Sequence, residues 1–287
     1  MAERLSIRVV VAAIALPAAA LAMFAAPARA TKLGRAGDFT YYTEEDPIPA
    51  GAGEQGATGT AQCGDGQAVT GGGEAISGNP DGSFIGPVIG SALDTWLATG
   101  WHNNGDTAAL TTWAICTKKA SKIDIFEDFD SAPAGPKSAT LELTCEQGHP
   151  TTASGQISGS PLDSFLNTLM PTQDGWEVHA FHRAGTSDAD ILGFVHCRKG
   201  APPNYRVKSK ASSGPTIKVK AACRNHEAVI GGGASASGGA GQAHLIESSP
   251  FDSGDQGDIP DDGWQVEYYV PGAVEQEFAA FAVCDPV

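Results

Sequence analysis

The sequence predicts an all-β fold of three Greek-key-like, four-stranded repeats around a pseudo-threefold axis, and three observations carry that expectation. One cassette recurs three times along the chain. Inside each copy the apolar residues alternate with period two, the mark of strands with one buried face. All six cysteines stand at the two ends of the cassettes.

Each copy opens on Cys63, Cys145 or Cys223 and closes on Trp113-Ala114-Ile115-Cys116, Phe194-Val195-His196-Cys197 or Phe281-Ala282-Val283-Cys284. Counted from Cys63 and Cys223, Val69 and Val229 share an offset and lead into Gly71-Gly72-Gly73 and Gly231-Gly232-Gly233. The same offsets from Cys145 hold Thr151 and then Ala153-Ser154-Gly155, which makes the second copy degenerate. Next come Ser91-Ala92-Leu93-Asp94-Thr95, Ser160-Pro161-Leu162-Asp163-Ser164 and Ser249-Pro250-Phe251-Asp252-Ser253. Gly100-Trp101, Gly175-Trp176 and Gly263-Trp264 follow, with each Trp expected on the core face.

The alternation is clearest at Ile217, Val219 and Ala221, at Trp264, Val266 and Tyr268, and at Trp176, Val178 and Ala180. About four strands fit each copy, and no segment shows the 3.6-residue period of an amphipathic helix. The repeats span residues 59–117, 139–198 and 216–287 of one domain, 59–287. A copy of this length is near the lower limit for an independent core, and aromatic residues make up only 7 % of the chain, so the three copies must share one. A β-prism and a β-trefoil both satisfy the pattern. Glycine triplets within a strand favour the prism, because they admit close approach of a ring or a second backbone.

Residues 1–30 read as a secretory signal peptide: Arg4 and Arg8 precede an apolar run from Val9 to Leu21, and Ala28-Arg29-Ala30 is a small-x-small cleavage site. Pro17 and Pro27 interrupt a segment already short for a membrane span. Residues 31–58, rich in Gly, Glu and Pro, read as a flexible leader. Export to an oxidising compartment turns an even cysteine count into disulfides. One bridge per repeat is the simplest of the fifteen connectivities, and the rival set joins Cys116 to Cys145, Cys197 to Cys223 and Cys63 to Cys284.

Loss of Arg4, Arg8, Arg29 and Glu3 with the signal takes the formal charge from −15 to −17, which disfavours nucleic acid and anionic membrane as partners. The connectors are polarised. Arg198, Lys199, Arg206, Lys208, Lys210, Lys218, Lys220 and Arg224 follow one another with no acid between them, whereas Asp124, Glu127, Asp128 and Asp130 precede the second repeat. These runs are either solvated connectors that attract each other or, in the basic case, a strip for a polyanionic envelope polymer.

The cysteine-framed threefold layout with its Gly-rich strand resembles the vitelline membrane outer layer protein family, and is similar to short Cys/Gly-Gly-Gly/Gly-Trp repeats of secreted bacterial proteins. That resemblance implies a β-prism and an extracellular coat or carbohydrate-associated role.

The residues that recur in all three copies are Cys, Gly, Trp and a turn-forming Asp, the types that build a scaffold. Asp94, Asp163 and Asp252 are therefore read as turn residues. Asp252, Asp255 and Asp258, continued by Asp261 and Asp262, space carboxylates through a glycine-containing loop, a composition suited to calcium, the one cofactor the sequence suggests. His179 and His182 fall on opposite faces of a strand and do not chelate together. No nucleophile elbow, HExxH or phosphate loop is present. Glu74, Glu142, Glu177, Glu247 and Glu267 are the carboxylates on which a glycosidase would draw. Trp96, Trp101 and Tyr205 are the candidate rings for stacking on sugar. The leading expectation is a secreted, non-catalytic binding or structural module for envelope or extracellular carbohydrate. An extracellular hydrolase and a protease inhibitor or effector stand as alternatives.

Overall fold

The computed structural model describes residues 30–51, 55–103, 105–132, 137–158, 164–182, 189–237, 243–254, 259–272 and 275–287. The segment read as a signal peptide, apart from Ala30, lies outside them. Nineteen strands and one 3₁₀ turn (Ala120–Lys122) occur among the described residues, so the chain is all-β. A hairpin of β1 (Thr31–Ala36) and β2 (Phe39–Ile48) comes first. The first unit continues with β3 (Gln55–Gln62), β4 (Ala68–Ile76), β5 (Ser83–Ala92), β6 (Thr95–His102) and β7 (Ala108–Thr117). The second runs through β8 (Ile123–Ala132), β9 (Lys137–Thr144), β10 (His149–Ile157), β11 (Ser164–Pro171), β12 (Gly175–His182) and β13 (Ala189–Arg198). The third contains β14 (Asn204–Ser212), β15 (Thr216–Ala222), β16 (Glu227–Ser237), β17 (His244–Phe251), β18 (Gly263–Tyr269) and β19 (Gln276–Pro286).

Each unit thus carries two strands more than the four expected. The extra opening strand comes from the segments read as connectors and leader: β2, β8 and β14 each pair antiparallel with the closing strand of their own unit, β7, β13 and β19. The leader reading is corrected at the same point. Residues 31–48 form a hairpin on the sheet, and Tyr41 within it is fully buried. The segment lacks strict alternation because β2 is covered along much of its length, which hides the period that reveals a half-buried strand.

Within a unit the opening, closing and second cassette strands make one three-stranded ladder, and the remaining three make another. Units are joined by a cyclic seam. β4 of the first pairs with β17 of the third, β16 of the third with β11 of the second, and β10 of the second lies against β5 of the first. The last seam has no ladder among the described residues, and β5 there has two register shifts, the first of them spanning Pro87, which has no N–H to give. No sheet closes on itself among the described residues.

Three disulfides, Cys63–Cys116, Cys145–Cys197 and Cys223–Cys284, close one loop per unit with Cα separations of 5.7, 5.8 and 5.8 Å. The rival connectivity is excluded. Loops of 53, 52 and 61 residues each contribute roughly 4 kcal/mol in the chain-entropy model.

Beside each closing cysteine sits a β-bulge, with Val69 and Thr70 against Cys116, Pro150 and Thr151 against Cys197, and Val229 and Ile230 against Cys284. This register corrects the alignment of the second copy. The residues matching Gly71-Gly72-Gly73 are Thr152-Ala153-Ser154, because the turn after Cys145 is one residue shorter. The bulges meet about the axis. Gly71 abuts the Ile230 carbonyl, Gly231 abuts the Thr151 carbonyl, and Thr151 Oγ1 donates to Thr70 O at 2.5 Å. A methyl on Gly72 or Gly232 would overlap the indole of Trp96 or Trp264.

The tryptophan register is corrected as well. The buried, equivalent set is Trp96, Trp176 and Trp264, each second in its strand, and Trp101 lies half-buried at the far end of β6. The shared motif is Asp-x-Trp. The carbonyls of Asp94, Asp174 and Asp262 accept from the amides of Cys63, Cys145 and Cys223 at 2.8, 3.2 and 2.8 Å. Pro171, rather than Pro161, is then the counterpart of Pro250, as both face the buried Trp across a ladder. Ser160 to Asp163 lie outside the described residues.

Replacing Trp96 by Ala is expected to cost on the order of 3–5 kcal/mol in urea unfolding, and Trp101→Ala clearly less. The sequence alignment of the cassettes requires the opposite order. Tyr41→Phe should cost about 1–3 kcal/mol, since it leaves the Val229 carbonyl, reached by the Tyr41 hydroxyl at 2.7 Å, without a partner.

Candidate functional site

Of the three rings proposed for ligand stacking, one is excluded by burial. Trp96 is 1 % exposed and packs over Gly72. Trp101 is pressed against the backbone of Gly56 and Gly86. Tyr205, 39 % exposed, is the most exposed of the three. Its hydroxyl donates to Pro150 O at 2.6 Å, and burial of the phenol pushes its pKa up to about 12, so the ring is held fixed and neutral. It lines a groove of about 320 Å³ with Pro171, Thr172, Gln173, Arg206, Val207 and Phe281. Arg206 is in turn oriented by Glu227 at 2.7 Å.

The two equivalent places differ. Ile125 replaces the tyrosine in the second unit, and Tyr41 in the first, itself in the β1–β2 hairpin, is buried at 0 % exposure. Burial, and then the charges of Asp261 and Asp262, push the Tyr41 pKa well up. Only the third unit offers a partly exposed ring at this position among the described residues.

Of the calcium candidates, Asp255 and Asp258 lie outside the described residues. Asp252 Oδ1 accepts the Gly254 amide at 2.7 Å, and Asp262 Oδ2 accepts the Ser253 amide at 2.6 Å, both as turn caps. Among the described residues, the one group of ligand-type atoms close enough to share an ion is Cys223, Glu227 and Cys284, and its two sulfurs are joined in a disulfide.

Two pairs resemble acid–base machinery. Ser83 Oγ and His102 Nδ1 are 2.9 Å apart and buried, yet the serine donates its proton to Asn79 O at 2.8 Å. Nδ1 must then be the donor, which is the reverse of nucleophile activation. His179 Nε2 lies 3.0 Å from Glu177 Oε2 on the partly exposed face of β12. Neither pair lines the Tyr205 groove.

A third feature breaks the threefold pattern inside the protein. Glu44, Thr112 and Glu74 lie in one cross-strand row over β2, β7 and β4, all buried, where the other units have Asp128, Gly193 and Gly155, or Lys208, Ala280 and Ala234. Glu74 Oε2, Thr112 Oγ1, Asp46 Oδ2 and Trp96 Nε1 are buried there without a hydrogen-bond partner. Burial raises the Glu74 pKa to about 8. The Trp96 indole favours the charged form without reaching hydrogen-bond geometry. Burial, and then the neighbouring Asp46, raise Glu44. The sequence signal was present, an acid standing where the aligned copies hold Gly and Ala, but it is visible only once the register is correct.

No protein-family model matches the chain, and no curated protein is significantly similar to it. No helix among the described residues is long and apolar enough to cross a membrane, and the three disulfides fit an oxidising, extracellular-type environment.

Glu74 makes stability fall with pH. Between its unfolded value of 4.5 and its folded value of about 8, the unfolded chain releases a proton that the folded chain keeps, and the penalty is complete above that range. Glu74→Gln should therefore gain on the wild type as pH rises from about 4 to about 9, by a few kcal/mol at the alkaline end. Melting curves across that range provide the check, and a constant difference between the two proteins contradicts it.

Proposed function

We propose that this is a secreted, non-catalytic module that binds extracellular or envelope carbohydrate at the Tyr205 groove. The observation that carries the reading is a partly exposed aromatic ring, pinned through its hydroxyl to Pro150 and lining a groove beside the exposed Thr172 and Gln173 and the partly buried Arg206. A sugar ring presents an apolar C–H face for stacking and a rim of hydroxyls for amide, hydroxyl and guanidinium partners. A groove of about 320 Å³ suits a short stretch of glycan rather than a deeply enclosed substrate. The residues common to the three copies are occupied in the scaffold, the cysteines in bridges, the tryptophans in the core, and the aspartate carbonyls on the cysteine amides. Specificity falls instead to a position where the copies differ.

A glycan array followed by calorimetry on the purified protein tests this. Tyr205→Ala should weaken binding about tenfold or more without loss of the disulfide-bonded fold. Hydrolysis of the bound glycan, abolished by a Glu177 or His179 substitution that leaves the melting temperature unchanged, would replace this reading with the hydrolase alternative.

A further inference from the structure

Three opening strands, β2, β8 and β14, stand at equivalent positions, but their outer edges are not treated alike. The edge of β2 is covered by β1. β8 and β14 each end a sheet with nothing paired beyond them among the described residues. Both are exposed on both faces over residues 127–131 and 207–211, where Phe129 is 74 % and Val207 65 % exposed. An uncovered edge offers unpaired amides and carbonyls to another strand.

The two edges are opposite in charge and matched in spacing. β8 carries Asp128 and Asp130 on one face with Phe129 on the other, and β14 carries Lys208 and Lys210 on one face with Val207 and Ala211 on the other. Lys208 and Lys210 have no ion-pair partner among the described residues. On β8, Asp128 Oδ1 accepts the Phe129 amide at 2.9 Å and Asp130 Oδ1 accepts the Ser131 amide at 2.7 Å, so these amides point outward and are capped by their own neighbours. Ser209 holds the register position of Phe129 against the closing strand, and its amide faces out in the same way.

We infer that β8 of one molecule pairs antiparallel with β14 of a second copy. Asp128 then stands opposite Lys210, Asp130 opposite Lys208, and Phe129 opposite Ser209 between Val207 and Ala211. The register is self-consistent, because it sets outward-facing positions against each other and places both charge pairs on one face. The incoming ammonium groups draw the carboxylates off the Phe129 and Ser131 amides and free them for the partner's carbonyls. A strand without cations at that spacing leaves the caps in place, which makes the edge selective. The contact is heterologous, so it propagates from molecule to molecule, each copy giving its acidic edge to one neighbour and its basic edge to another. This inference does not rest on the carbohydrate reading, although the two share Val207, which lines the groove, and the charge-reversed variants leave the ring of Tyr205 unaltered.

Sedimentation of the purified protein at about 20 mM and about 500 mM salt tests it, since exposed ion pairs weaken as the Debye length shortens. The wild type should associate increasingly with concentration at low salt and return to monomer at high salt. Lys208→Glu with Lys210→Glu, and separately Asp128→Lys with Asp130→Lys, should each weaken association on the order of tenfold or more, and an equimolar mixture of the two should restore it. Phe129→Pro removes an outward amide without touching the β8–β13 ladder and should also give monomer at the wild-type melting temperature. A wild type that stays monomeric at low salt up to about 1 mM, or association that persists undiminished in both charge-reversed proteins, overturns the inference.

Discussion

Three backbone carbonyls close to the axis govern how the units fit together. Each bulge turns a carbonyl, that of Val69, Pro150 or Val229, out of its own ladder and toward the neighbouring unit. A carbonyl buried there without a partner costs about 1–3 kcal/mol. Tyr41 of the first unit donates to Val229 O at 2.7 Å, and Tyr205 of the third donates to Pro150 O at 2.6 Å. His196 of the second contacts Val69 O through Nδ1 at 3.2 Å. The cycle closes with a histidine where the other two links use tyrosine. Since the acceptor is a carbonyl, the fully buried imidazole must carry its proton on Nδ1.

That cycle explains why the units depend on one another. A unit alone would expose its bulge, its glycine strand and one face of its tryptophan. Trp264 reaches Gly73 of the first unit as well as its own Gly232, and Trp176 reaches Gly233 of the third. The second copy tolerates the loss of its glycine triplet for the same reason. Thr151 and Thr152 replace close backbone approach by hydrogen bonds across the seam, to Thr70 O at 2.5 Å and Gly232 O at 3.2 Å.

The strand period, the cysteine framework and the three-unit count were legible in the sequence, since each rests on residues whose role is local: alternation, bridging and backbone approach. The opening strands were not. β8 and β14 are exposed edges whose charged, alternating side chains read as solvated connectors, and the burial of β2 removes its alternation. Gly-Trp misled for a related reason. In β6 the strand begins Thr95-Trp96, and the glycine before Trp101 belongs to the far end of that strand. The carbonyl of the preceding aspartate on the cysteine amide is what defines the motif, and a backbone interaction leaves only the weak Asp-x-Trp trace. The groove beside Tyr205 joins β14 to the turn after β11, and no sequence spacing announces that meeting.

Threefold sequence therefore marks what holds the protein together, and departures from it mark where the units have diverged. One register position carries Glu44, Asp128 and Lys208 in the three opening strands. In the first unit that side chain is turned into the interior, next to Asp46 and in the same row as Glu74. In the second and third it stands exposed on an edge, once as an anion and once as a cation. A scaffold role selects the same residue three times, because the same backbone geometry must be satisfied three times. Two acids and a base on one backbone position cannot arise from that geometry, so they follow from what each unit faces: a buried row, an acidic edge and a basic edge.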